Sequence, residues 1–172
     1  HDFKDLFNVK TQTWGFAASP LVHGDLLICL ASGDGTTAVA FNKVSGKEVW
    51  RSLTAKQPGY CPPCIVKHKG RDLLLIWHPE AINALDPLNG KIYWRVPWKV
   101  RYGLTITAPQ MVDDEHLFLS SFYNGSTLLK LKEDESTPDI VYRTERASER
   151  KTTHLHGIMN TPVLRDGHLF GA

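Results

Sequence analysis

Short apolar runs separated by polar turns dominate the chain. Residues 26–30, 73–77 and 117–119 are unbroken apolar runs, and runs of that length without alternation predict strands covered on both faces. Each follows a Pro-led apolar segment: Ser19-Pro20-Leu21-Val22, Pro62-Pro63-Cys64-Ile65-Val66 and Ala108-Pro109-Gln110-Met111-Val112, with a fourth copy at Thr161-Pro162-Val163-Leu164. Tight polar turns join segment to run: His23-Gly24-Asp25, Lys69-Gly70-Arg71-Asp72, Asp113-Asp114-Glu115 and Arg165-Asp166-Gly167. A third strand carries Ala40-Phe41 or Ala84-Leu85, and residues 42–46 and 86–90 supply hairpin turns before a fourth. No stretch holds helical periodicity over the dozen or so residues a helix needs. The pattern is all-β.

It also repeats. Residues 40–51, Ala-Phe-Asn-Lys-Val-Ser-Gly-Lys-Glu-Val-Trp-Arg, recur 44 residues later as Ala-Leu-Asp-Pro-Leu-Asn-Gly-Lys-Ile-Tyr-Trp-Arg, with Ala, Gly, Lys, Trp and Arg in register. The leading prolines Pro20, Pro63, Pro109 and Pro162 follow one another at 43, 46 and 53 residues. A four-stranded unit of about 40–50 residues in tandem predicts β-propeller blades, because one blade cannot cover both of its own faces. A sandwich or an up-and-down barrel would not require this self-similarity. The expected blades span residues 14–52, 58–97 and 103–143, with the first half of a fourth at 158–172, all within one domain, 1–172.

The unit Ala-Leu-Asp-x-x-Asn-Gly-Lys-x-x-Trp at residues 84–94, with its variant at 40–50, resembles the blade repeat of the pyrroloquinoline quinone (PQQ)-like, or quinoprotein alcohol dehydrogenase-like, propellers. Phrases such as Trp14-Gly15-Phe16-Ala17-Ala18-Ser19-Pro20 look closest to the bacterial BamB-like and PQQ-binding-like members. The resemblance implies that a Trp ends the outermost strand and docks on the Gly-containing turn of a neighbouring blade. Trp50 and Trp94 match that position, Tyr142 is the third candidate, and Gly46 and Gly90 are the turn glycines. The third unit replaces its Gly-Lys turn by residues 132–138. The resemblance further implies a ring of seven or eight blades. On that count the run ending at Phe170-Gly171-Ala172 stops inside a second strand, so the expectation is a segment of a longer propeller, which alone would form an open, association-prone arc.

Topology narrows where a site would lie. In a propeller the loop leading into the first strand and the loop joining the second strand to the third share a face. The leading loops pair a Gly with an apolar residue, at Gly15-Phe16, Gly59-Tyr60, Gly103-Leu104 and Gly157-Ile158, and beside them stand Trp14, Tyr60, Arg101, Tyr102, His154 and His156. The second-to-third loops contribute Asp34, His78, Glu80, Tyr123 and Asn124. Aromatic and polar residues on loops held by a rigid scaffold are the usual binding groups. The competing structural reading makes the glycines backbone-packing positions and Trp50, Trp77, Trp94 and Trp98 core or docking residues. The opposite turns carry mostly Lys, Asp and Glu, as solvated hairpins do.

The resemblance implies two functions. One is a non-catalytic binding or scaffold module offering this loop face to a protein or small-molecule partner, in the periplasm or secreted, alongside the remaining blades of the parent propeller. The alternative is part of a PQQ- and Ca²⁺-dependent dehydrogenase of alcohols or sugars, whose family holds the ion with Glu, Asn and Asp oxygens. Glu80, Asn124 and Asp34 would be the donors here. The chain lacks the family's adjacent Cys pair and an identifiable catalytic Asp, so the non-catalytic reading is preferred and no cofactor is assigned.

Composition adds exclusions. With 42% hydrophobic and 22% charged residues the chain is not disordered, and no apolar run nears the ~18 residues of a membrane span. Twenty basic and 18 acidic residues give a net charge of +2 with no basic block, so nucleic acid is not an expected partner. Cys61-Pro62-Pro63-Cys64 enters a strand rather than a helix and no His follows Cys64, which removes covalent haem attachment. Buried thiols are the first expectation for Cys61 and Cys64, and a local disulfide is the second, should the protein be exported. His154-Leu155-His156 could chelate a metal from one strand face, but no third ligand sits at a recognisable spacing. Ordinary loop histidines are preferred, and no metal site is expected. The opening His1-Asp2-Phe3-Lys4 has no charged-then-apolar leader, so the compartment rests on the resemblance.

Overall fold

The computed structural model describes residues 1–134, 136–144, 150, 152 and 154–171. Glu135 in the expected third-blade turn and the terminal Ala172 lie outside the described residues. Three four-stranded antiparallel sheets follow one another along the chain, each in sequential strand order. The first holds β1 (Leu21–His23), β2 (Leu26–Leu30), β3 (Ala38–Asn42) and β4 (Glu48–Ser52). The second holds β5 (Cys64–His68), β6 (Arg71–His78), β7 (Ala81–Leu85) and β8 (Ile92–Pro97). The third holds β9 (Gln110–Met111), β10 (His116–Ser121), β11 (Gly125–Lys130) and β12 (Asp139–Arg143). A hairpin of β13 (Val163–Arg165) and β14 (His168–Phe170) completes the described elements.

Every leading strand begins one residue after its proline, at Leu21, Cys64, Gln110 and Val163. The proline itself stays outside because it has no N–H to give the ladder. The register also repeats. A bulge interrupts the pairing of the third and fourth strands after Ala40, after Ala84 and after Leu128, and their partners there are Trp50, Trp94 and Tyr142. Tyr142 therefore stands at the register position of the two tryptophans.

Alternation along the middle strands of each four-stranded sheet sends side chains to both faces, and both are covered. Ile28, Ala38, Ala40 and Trp50 of the first sheet pack with Leu74, Ile76 and Leu85 of the second. The other parity of the second sheet, including Leu73, Leu75, Trp77, Ala84 and Trp94, packs with Leu117, Leu119, Leu129 and Leu131 of the third. Trp50 locks the first contact. Its indole Nε1 donates to the Pro87 carbonyl at 3.1 Å, inside the hairpin turn of the second sheet. Gly90 ends that turn at φ +72°, and a Cβ there would lie 2.6 Å from Trp50 Cε3. The glycine is needed twice, for its backbone and for the ring lying against it.

The sequence pattern did not predict α1 (Phe3–Phe7), whose five residues are too short to display a period. Asp2 caps it by accepting from the Lys4 N–H at 2.9 Å, and Asn8 closes it in the left-handed region. Phe3 and Phe7 cover Leu27, Cys29, Val39 and Phe41, the face of the first sheet turned away from the second. The His1 ring stacks on Phe41 at 4.9 Å, and its Nε2 donates to the Gly46 carbonyl at 2.7 Å. Gly46 thus meets His1 at the turn position where Gly90 meets Trp50.

Gly90→Ala and Gly70→Ala both place a side chain at positive φ, but only Gly70 has open space around its Cβ position. The expected cost at Gly70 is about 1 kcal/mol from the backbone alone, and at Gly90 a further ~1–3 kcal/mol because Trp50 must move. Urea unfolding of the two variants measures the difference, and equal losses would mean that the Trp50 contact contributes nothing.

Candidate functional site

The loops leading into the sheets and those joining second strands to third strands gather on one side. Gln12 Nε2 donates to the Gly59 carbonyl at 2.6 Å and Tyr60 N–H to the Thr105 carbonyl at 2.9 Å, tying each leading loop to the next. Gly59 is packed against Thr105, whose Oγ1 would clash with any Cβ. Trp14 N–H donates to Tyr60 Oη at 3.4 Å, and the two rings meet edge to face at 5.6 Å. Glu80 accepts the Lys56 N–H at 3.1 Å, and the carbonyls of Pro79 and Glu80 accept from Val100 and Trp98.

A second knot lies one loop further on. Asn124 Oδ1 accepts the Arg101 N–H at 2.8 Å while its Nδ2 donates to the Lys99 carbonyl at 3.2 Å. These contacts hold a single 3-10 turn, Arg101–Gly103, in which Tyr102 has φ +57°. That left-handed geometry costs a bulky residue of order 1–2 kcal/mol, and it leaves the Tyr102 ring 60% exposed. The Arg101 guanidinium lies 4.8 Å from the Tyr102 ring centre and 5.4 Å from that of Tyr123, and Nη2 donates to Tyr102 Oη. Tyr102 and Tyr123 meet edge to face at 5.2 Å.

Two concavities result. A groove of about 750 Å³ runs past the charged and polar side chains of Lys10, Gln12, Lys56, Glu80 and Lys99 and the ring of Tyr102. An apolar cavity of about 610 Å³ is walled by Tyr60, Leu104, Ile106, Phe122, Tyr123 and Met159, among others. Trp14, 60% exposed, borders both.

Of the residues expected on this face, Trp14, Tyr60, Glu80, Tyr102 and Tyr123 line one concavity or both, and Arg101 and Asn124 brace the walls. His78 does not reach the surface. It is 1% exposed and lies beneath the loop, where its Nδ1 accepts the Glu80 N–H at 3.3 Å. Burial pushes its pKa down to about 4, so the ring is neutral and its part is to hold Glu80 in place. His156 is also buried, with Nδ1 on the Phe122 carbonyl at 2.8 Å, whereas His154 stacks on Tyr142. Asp34 accepts from Thr54 Oγ1 and borders neither concavity. Sequence reasoning missed Lys10, Lys56 and Lys99, although a lysine recurs three to five residues before each of the first three leading glycines. It also missed Ile106, Phe122 and Met159, which carry no signal beyond their apolarity.

The oxygens proposed for a quinone-bound Ca²⁺ do not form a set. Glu80 is committed to the Lys56 N–H, Asn124 to Arg101 and Lys99, and Asp34 to Thr54. Among the described residues no group of three or more His, Cys, Asp or Glu could hold a metal ion. The residues present do not fit PQQ with Ca²⁺. Cys61 and Cys64 stand as thiols: Cys61 is buried and donates to the Pro62 carbonyl at 3.4 Å, and burial raises both pKa values, that of Cys64 to about 12.

No family model matches the chain, and no curated protein matches it. Among solved structures it is similar to BamB from Moraxella catarrhalis, at 16% identity and a TM-score of 0.50 over 83% of this chain and 42% of that one. The fold is that of part of a BamB-like propeller. The chain spans less than half the length of that relative. Among the described residues no helix is long and apolar enough to cross a membrane.

Because His78 is held neutral, the unfolded chain alone takes up its proton between pH 6.5 and about 4. Its contribution to stability should therefore fall across that window by up to about 3 kcal/mol, and be flat above and below it. Denaturant titrations should show that His78→Gln removes this part of the pH dependence; an unchanged profile would mean the ring is already charged in the fold. Iodoacetamide at pH 8 should label Cys61 and Cys64 readily only in denaturant, since too little thiolate forms in the native state. Rapid native labelling read by mass spectrometry would contradict that.

Proposed function

We propose that this chain is a non-catalytic binding module whose loop face receives a protein or small-molecule partner. The observation that carries the reading is the pair of concavities sharing Trp14. Aromatic side chains seldom stand exposed beside an apolar cavity without a binding role, and Trp and Tyr dominate binding hot spots because they bury large areas at little conformational cost. The walls are pre-organised: Arg101, Asn124 and the strained Tyr102 turn are held by hydrogen bonds before any ligand arrives. Pre-organisation lowers the ordering cost of binding. Membership of the PQQ-like repeat family, and with it a periplasmic or secreted setting, belongs to the same proposal. Its support is the Ala-Leu-Asp-x-x-Asn-Gly-Lys-x-x-Trp unit together with the BamB-like fold.

The neutral dye Nile red tests the cavity without invoking charge. Its fluorescence should rise saturably with the full chain and fall several-fold for Trp14→Ala, while stability changes by less than about 1 kcal/mol because that side chain is largely exposed. Dye binding indifferent to Trp14→Ala and Tyr123→Ala would overturn the site. A saturable rise in melting temperature with PQQ and Ca²⁺, accompanied by dye-linked alcohol oxidation, would overturn the non-catalytic reading.

A further inference from the structure

We infer that the partner of this face is an acidic peptide segment carrying a bulky apolar side chain. The inference rests on the binding-module reading and names the partner's chemistry. Lys10, Lys56 and Lys99 come from three successive leading loops and line one groove, with Glu80 as the carboxylate among its walls. Among the described residues none of the three lysines has a carboxylate partner within 4 Å, and Glu80 is bound to the Lys56 backbone rather than to an ammonium.

The opposite turns are built differently. There Lys43 pairs with Asp25, Lys67 with Asp72, Lys69 and Lys130 with Glu115, and Lys132 with Asp139. Among the described residues most lysines on that side have a carboxylate partner, Lys47 and Lys91 of the hairpin turns excepted, whereas the three in the groove have none. Like charges lining one groove raise the potential there and favour an anionic occupant.

Charge alone would bind weakly, since exposed ion pairs contribute only ~0.2–1 kcal/mol each. The apolar cavity supplies the anchor. At about 610 Å³ it lies within the ~300–1,000 Å³ range of ligand pockets, and Trp14 lines both it and the groove. An extended chain can place one apolar side chain in the cavity and carboxylates along the lysines. A phosphate backbone is less well served. The arginine at the face, Arg101, has its guanidinium on Tyr102 Oη and over two tyrosine rings, so no bidentate fork is presented.

The test uses the full chain and a fluorescein-labelled synthetic peptide in which glutamates flank a Phe-Leu pair. Controls replace the glutamates by glutamines, or Phe-Leu by Ala-Ala. At low salt the acidic apolar peptide should bind at least tenfold more tightly than either control by fluorescence anisotropy. Combining Lys10→Glu, Lys56→Glu and Lys99→Glu should weaken it at least tenfold while leaving Nile red binding unchanged. If charge reversal disturbs the circular dichroism spectrum, the triple Lys→Gln variant takes its place, with a smaller loss expected in the same direction. Equal binding of the glutamine peptide, or indifference to the lysine substitutions, would overturn the acidic partner while the dye result keeps the binding module. Competition by oligothymidylate as effective as by the acidic peptide would overturn it in favour of nucleic acid. Failure of both dye and peptides would remove the binding-module reading as well.

Discussion

A four-stranded sheet whose middle strands carry apolar side chains on both faces cannot stand alone in water. The second sheet makes the point: Leu74, Ile76 and Leu85 face the first sheet while Leu73, Leu75 and Trp77 face the third, and all are buried. At about 1.5–3 kcal/mol for each large side chain, uncovering either face would cost an amount comparable to the whole net stability of an ordinary domain. Blade must therefore lie on blade. The Trp50 contact with the Pro87 carbonyl and Gly90 fixes how closely and at what register. At the first sheet, α1 and His1 cover the face that no blade covers in this structure, with His1 on the Gly46 turn.

That stacking also makes the loop face. The leading loops share no extended strand ladder with one another. Adjacency comes from the sheets beneath, and single hydrogen bonds then join Gln12 to Gly59, Tyr60 to Thr105 and Ala108 to Thr161. Residues some 45 positions apart become neighbours in a continuous wall. Strain is tolerated there, at Tyr102, because Asn124 and the neighbouring loop hold the turn from both sides.

The two sides of the blades divide the electrostatics. Turns on one side satisfy most of their lysines with nearby carboxylates, which suits a solvated surface. The leading loops keep Lys10, Lys56 and Lys99 without carboxylates, next to exposed aromatic rings. Neither arrangement alters the fold, since exposed pairs contribute little to stability. The difference acts on what can approach each side.

Much of the architecture was legible in the chain itself. A 44-residue recurrence, prolines before each leading strand and apolar runs without alternation are local signals, and each has a local cause: a missing N–H, a turn glycine, two covered faces. The resemblance offered Tyr142 as the third docking residue, and the register of β11 with β12 places it level with the two tryptophans although its spacing from Trp94 is 48 rather than 44. The site was legible only as a side of the molecule. His78 looked like a loop ligand because its neighbours Pro79 and Glu80 are loop residues, but strand β6 extends through it and buries it. Asp34 sits on the expected loop yet borders neither concavity, and α1 was too short to leave a period. What the sequence alone determined was the repeat, the strands and the side on which loops would gather, because these follow from nearest-neighbour chemistry. Only the tertiary structure decided which side chains on that side share a cavity, which are buried beneath it and which lysines lack a partner, because those are distances between residues far apart in the chain.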